Sequence, residues 1–149
     1  MTRTQGFTRE EIEGATSVRW SEARVVRFQD VDAAQIVFYP RVLEYFSDAY
    51  VAMLLAGGFD LPGELALGSL LPLVHAEADY LKPLRFGDAT HVEVARVRLG
   101  ETSFTVGYRV RLASGRAAAI GQTVHVCLDR ASFRPQAIPE RVRAVLVGG

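Results

Sequence analysis

The apolar pattern of this chain changes period near residue 40 and again near residue 72. Before the first change, VRWSEARVVRF (Val18 to Phe28) is rich in β-branched and aromatic residues and predicts a strand. After it, Val42, Phe46, Ala49, Tyr50 and Met53 recur at three and four residues, and Leu43, Tyr45 and Leu54 widen the stripe. That spacing predicts one long helix enclosed on most sides, with Arg41, Glu44 and Asp48 on its narrow polar side. Pro40 suits the first helical position, where a missing N–H costs nothing. Gly57-Gly58 suits a left-handed C-cap. Phe59 to Ser69 then reads as a loop with room for a turn of helix.

From Leu73 onward the period is two. LVHAEADYL, HVEVARVRL, TSFTVGYRVRL and AAAIGQTVHVCLD each predict a strand. Phe104, Val106, Tyr108, Val110 and Leu112 fall on one face. A phase shift between Val94 and Ala95 predicts a bulge. KPLRFGD and Ala113-Ser114-Gly115-Arg116 read as turns. Residues 1–17 are polar and read as a loose or weakly helical extension, and residues 139–149 as a tail or short helix. A strand, one long helix and a run of strands imply a single α+β domain over residues 1–149, an antiparallel sheet wrapped around the helix. Strands and helices do not alternate, so no dinucleotide crevice of the doubly wound kind is expected.

Composition narrows the chemistry. Acidic and basic residues balance at 17 each, so no global field draws in nucleic acid or a membrane surface. The basic residues are arginines apart from Lys82. Cys127 is the only cysteine, which excludes an intrachain disulfide. It reads as a small buried hydrophobe. His75, His91 and His125 stand singly, with no CxxC or HExxH spacing, so no metal and no cofactor is expected. The first residues lack the apolar core of a secretory leader, and no apolar run approaches a membrane span. The expectation is a cytoplasmic protein.

The stretch that carries chemistry is QDVDAAQIVFYP, with Asp30 and Asp32 one residue apart just ahead of the helix. Taken by residue type alone, Asp32 reads as a loop anchor or arginine partner before it reads as catalytic. The longer stretch RFQDVDAAQIVFYPRVLEYF, with ADYLKPLRFGD, ETSFTVGYRV and GQTVHVCLD, resembles the hotdog-fold acyl-CoA thioesterases of the 4-hydroxybenzoyl-CoA thioesterase branch. The shared motif is two acids flanking one residue, a short small-residue turn, an apolar pair, an aromatic pair and a helix. The likeness covers about Val18 to Asp129. It departs from the branch at Gln35, where glycine is usual, and at Leu99 to Thr102, where some members carry basic residues before Ser103.

The resemblance implies a hotdog fold and hydrolysis of an acyl-CoA, with an aromatic acyl group, by a homodimer or homotetramer. It makes Asp32 the base or nucleophile and the backbone N–H of Tyr39 the donor that polarises the thioester carbonyl. Asp30 stays a loop anchor that accepts backbone N–H groups. Lys82, Arg85 and Ser103 are the candidates for holding CoA, and Arg98 and Arg116 the reserves. Glu44 is the alternative base, since another branch of the fold uses a helix carboxylate. Its ordinary reading, with Asp48, is a solvated or arginine-paired face. His75, Glu77 and Asp79 share one strand face and read as a polar surface or subunit contact. Tyr45, Phe46, Tyr50 and Phe59 read either as core or as the lining of an acyl slot. The alternative function is a non-catalytic acyl-CoA or acyl-carrier binding protein on the same fold.

Overall fold

The structure is a computed structural model and describes residues 4–148. The elements in order are α1 (Arg9–Glu13), β1 (Trp20–Val25), α2 (Tyr39–Ala56), α3 (Leu61–Ala66), β2 (Ser69–Leu70), β3 (Leu73–Tyr80), β4 (Ala89–Leu99), β5 (Ser103–Leu112), β6 (Ala117–Val126), β7 (Leu128–Asp129) and α4 (Glu140–Val147). Five strands form one antiparallel sheet in the order β1-β4-β5-β6-β3. Strands β2 and β7 pair separately. The sheet wraps α2, which is the expected hotdog arrangement.

Helix α2 is held by its apolar stripe. Val42, Tyr45, Phe46, Ala49, Tyr50, Met53 and Leu54 are buried on it, whereas Leu43 is exposed. Phe46 stacks on Tyr108 of β5 with ring centroids 4.7 Å apart. Losing such a ring to alanine costs about 3–5 kcal/mol. At the C-terminus Gly58 takes φ 86°, and the N–H groups of Gly58 and Phe59 donate to the carbonyls of Leu55 and Leu54. This is the Schellman closure that glycine permits.

Strand β5 buries Phe104, Val106, Tyr108 and Val110 on the helix side, as its alternation predicts. The bulge falls at Ala95: Val94 pairs with Tyr108 and Arg96 with Gly107. It turns Ala95 to the outer face of the sheet, where it joins Phe7, Ile12, Ala15 and Ile120 in a second apolar cluster.

That outer cluster corrects the loose reading of residues 4–17, whereas the helical alternative agrees with α1. Thr8 caps α1 through a reciprocal box with Glu11. The Gln122 side chain exchanges two hydrogen bonds with the Phe7 backbone, at 2.7 and 3.1 Å. Arg109 donates to the carbonyls of Ile12, Glu13 and Ala15, placing a cation at the C-terminal end of α1. Gly107 lies beneath: a Cβ there would stand 3.2 Å from both Phe7 and Ile12. A side chain there would push the segment outward by a few tenths of an ångström.

Strand β1 is shorter than expected. The Asp30 carboxylate captures the Arg27 N–H, and the chain curls into a 3-10 turn over Phe28–Asp30. The segment after α2 forms the full helix α3, whose buried Glu64 takes two bonds from Arg141 of α4, at 2.6 and 2.8 Å.

Candidate active site

Asp30 organises the entrance to α2. It is fully buried, and its carboxylate accepts from the Arg27 backbone N–H at 3.0 Å, the Arg27 guanidinium at 3.0 and 3.2 Å, and the Tyr45 hydroxyl at 2.7 Å. Its own carbonyl accepts the Phe38 N–H at 2.8 Å. Burial pushes the carboxyl up, but these hydrogen bonds and the Arg27 charge outweigh it and hold the pKa at about 2. Tyr45 carries no sign of this role in the sequence, where it reads as part of an apolar stripe.

Between the two anchored points the chain makes a tight hairpin. Val31 bridges to Val37, the Asp32 N–H donates to the Ile36 carbonyl, and the Gln35 N–H to the Asp32 carbonyl. Gln35 takes φ 66°, the left-handed residue that short hairpin loops require. Glutamine thus takes the left-handed conformation at the position where the branch usually carries glycine. Asp32 is exposed. One carboxylate oxygen accepts the Ala34 N–H at 2.8 Å, and among the described residues the other has no partner.

Helix α2 begins directly after this hairpin, at Tyr39. Phe38 occupies the cap position and offers no side-chain acceptor. Pro40, at the second helical position, has no N–H to offer. Among the described residues the Tyr39 N–H meets no acceptor, and it lies at the positive end of the helix dipole. Tyr80, at the end of β3, donates its hydroxyl to the Tyr39 carbonyl at 2.8 Å. The turn after β3 is stitched to the loop from the other side: Ile36 bridges to Arg85, and the Val37 N–H donates to the Leu84 carbonyl.

The candidates for CoA do not converge. Lys82 and Arg85 are exposed on the turn after β3, with the Arg85 backbone beside Ile36. Ser103 is buried on β5, and its hydroxyl accepts the Thr4 N–H at 2.7 Å. Glu44 pairs with Arg41 at 2.8 Å, and Asp48 with Arg24 at 2.7 Å. Glu77 is bonded to Gln122 and His75. Among the described residues no three His, Cys, Asp or Glu side chains group as a metal site.

The four aromatic candidates divide. Tyr45 and Phe46 are core. Tyr50 and Phe59 line an apolar groove of about 400 Å³ at the far end of α2, with Leu54, Leu61, Leu71 and Phe133. Next to it His125 stacks on Phe104, its ring nitrogens facing Thr123 Oγ1 at 3.0 Å and the Leu71 carbonyl at 3.4 Å. Burial brings its pKa down to about 4, so it stays neutral. Cys127 is buried, which pushes its thiol pKa up.

Residues 26–146 match the model of the thioesterase-like superfamily. The chain belongs to that superfamily. It is 37% identical over 122 residues to a 1,4-dihydroxy-2-naphthoyl-CoA hydrolase of Synechococcus elongatus, covering 80% of this chain and 89% of that one. The structure of a 1,4-dihydroxy-2-naphthoyl-CoA thioesterase from Synechocystis superposes with a TM-score of 0.80 at 26% identity, over 87% of this chain and 96% of that one. A gentisyl-coenzyme A thioesterase superposes with a TM-score of 0.72 at 28% identity, over 83% of this chain and 98% of that one. The hotdog thioesterase expected from the motif is thus the family and fold of this chain. Among the described residues no helix is long and apolar enough to cross a membrane.

Proposed function

We propose that this thioesterase hydrolyses an aromatic acyl-CoA, with Asp32 as base or nucleophile and the Tyr39 N–H as oxyanion donor. The observation that carries the reading is the pairing of an exposed carboxylate, one oxygen held and one open, with an uncapped helix start a short turn away. Attack at the thioester carbonyl, by Asp32 itself or by water it deprotonates, puts negative charge on the carbonyl oxygen, and the Tyr39 N–H stabilises it there. Collapse breaks the C–S bond and expels CoA as the thiolate, which takes up a proton. The water route gives the free acid at once, and the Asp32 route leaves an acyl-Asp32 anhydride that water then cleaves to the acid and the free carboxylate. The aromatic acyl group is supported by the two relatives that act on 1,4-dihydroxy-2-naphthoyl-CoA and by the gentisyl-coenzyme A thioesterase.

The working unit in this proposal is a homo-oligomer. Strand β3 is a sheet edge, with Leu73, Val74 and Tyr80 each about half exposed. An open edge of this kind favours pairing with a second copy. Helix α2 runs antiparallel to β3, since Tyr80 meets its start while Leu71 and Pro72 flank its far half. A two-fold pairing of β3 edges would therefore bring the apolar groove of one copy toward the Asp32 turn of the other. Sedimentation at micromolar concentration is expected to give a dimer or tetramer, and only a 16.4 kDa species would overturn this.

The activity is tested by following CoA thiol release from a panel of aromatic and aliphatic acyl-CoAs with a thiol reagent. Release from aromatic members supports the reading. Binding without release across the panel overturns it in favour of a ligand-binding protein.

A further inference from the structure

A separate cleft of about 470 Å³ opens where α1, the turn after β3 and the β5–β6 turn meet. Its charged walls are Arg9, Lys82, Arg109, Arg111 and Arg116, with Glu13 as the one acid. Buried Glu93 stands behind them, 2.8 Å from Arg109 and 3.4 Å from Arg111. Arg109 is committed further to the carbonyls of α1, and Arg9 lies 3.7 Å from Glu13. Among the described residues the side chains of Lys82 and Arg116 have no carboxylate partner. Five cations thus meet two carboxylates in a chain that is neutral as a whole. A concave wall of guanidinium and ammonium donors is chemistry for phosphate.

What ties this cleft to the reaction is its neighbour. Leu81 and Lys82 also wall a narrower cleft of about 270 Å³, with Ile36, Val37 and Tyr80, alongside the Asp32 turn and the start of α2. The two clefts therefore share a rim. A ligand with phosphates in the first would carry an uncharged arm over Leu81 and Lys82 toward Asp32 and the Tyr39 N–H. CoA has that form: a polyanionic nucleotide, a neutral pantetheine arm and a thioester at the tip.

We propose that the basic cleft binds the phosphates of CoA, through Lys82 and Arg116 with Arg9 and Arg111 beside them. The inference rests on the thioesterase reading above and deepens it. It separates Lys82 from Arg85 and Ser103, neither of which lines the cleft. It also gives residues 4–17 a function. By holding α1 against the outer sheet face, the segment places Arg9 on the wall of the substrate site.

The test combines a binding and a kinetic measurement. Adenosine 3′,5′-bisphosphate is titrated calorimetrically into the full chain and into Lys82→Ala, Arg116→Ala and Arg98→Ala. Each of the first two variants should weaken binding about tenfold, the loss of one charge-assisted contact. Arg98→Ala, which faces residues 5–6 and Glu11 instead, should bind as wild type does. With benzoyl-CoA the loss should fall on KM rather than kcat, and with benzoyl-pantetheine, which has no phosphates, the difference between chains should vanish. Wild-type bisphosphate binding in both Lys82→Ala and Arg116→Ala overturns the cleft, and so does a loss confined to Arg98→Ala. Either result, in an enzyme that turns over acyl-CoA, leaves the thioesterase reading intact. Binding that depends on Lys82 and Arg116 in a protein that hydrolyses no acyl-CoA keeps the cleft and removes that reading. Turnover of an acyl-carrier thioester with no bisphosphate binding by wild type overturns the assignment to CoA.

Discussion

Asp30 is wholly buried and accepts four hydrogen bonds from Arg27 and Tyr45, whereas Asp32, two residues on, is exposed and accepts one, from the Ala34 N–H. The same side chain thus occurs twice in one short loop, in opposite surroundings. A buried carboxylate with both oxygens engaged is closed to a substrate, but it fixes backbone well. Asp30 ties the end of β1 to the cap of α2, through Arg27 on one side and the Phe38 N–H on the other. That sets the angle at which α2 begins, and hence where the Tyr39 N–H points. Asp32 hangs from the hairpin this anchor holds, with one oxygen open. The contrast teaches that an open group is useful only when its neighbour is not.

The largest expected effect breaks the open member of the pair. Asp32→Asn preserves shape and removes the proposed base or nucleophile, so kcat should fall by about 10²-fold or more, with the thermal midpoint nearly unchanged because the side chain is exposed. Steady-state kinetics and a melting curve on the same preparation check both halves. Near-normal turnover in Asp32→Asn together with loss in Glu44→Gln would move the chemistry to the helix carboxylate.

Breaking the closed member should do the reverse. Asp30→Asn removes the charge that Arg27 and Tyr45 face, and should cost about 2 kcal/mol of stability, a figure kept low because Arg27 is half exposed and screened. The pH dependence follows from the sign of the shift. The folded pKa of about 2 lies below the ordinary 3.8, so the stabilisation is complete above the unfolded value and fades as pH falls from about 4 toward 2. Wild type should lose stability across that window, and Asp30→Asn should lose less there. Parallel acid-unfolding curves for the two chains would show that Asp30 is not the anchor.

How much of this arrangement could be read from the chain depends on how local its causes are. The stripe of α2, the alternation of β5, the bulge at Ala95 and the C-cap at Gly58 are set by neighbours within a few residues, and all were legible. So was the pair of acids, through the motif around them. What escaped depends on partners far along the chain. Phe7, Ile12 and Ala15 are too sparse to form a periodic signal, and they acquire a surface only when β4 and β6 bring Ala95 and Ile120 together. Tyr45 sits in an apolar stripe with nothing to mark that its hydroxyl serves Asp30. Lys82 and Arg85 look adjacent across Pro83, yet Arg85 is drawn to Ile36 by a backbone bridge while Lys82 stays on the rim of the basic cleft.

The smallest effect tests the turn that follows the two acids. Gln35 takes φ 66° in a turn that carries no strain for glycine, and a side chain in that conformation costs about 1 kcal/mol. Glutamine, unbranched at Cβ, accepts it. A β-branched residue resists it further, so Gln35→Val should lower the thermal midpoint by a few degrees, corresponding to roughly another 1 kcal/mol. It should also lower turnover more than the stability loss explains, because the hairpin that opens is the one that holds Asp32 opposite Ile36. Gln35→Gly keeps the turn and should keep turnover, which separates backbone geometry from any direct role of the glutamine amide. If Gln35→Gly loses activity as Gln35→Val does, the amide itself acts on the substrate, and Asp32 does not stand alone on the open side of the loop.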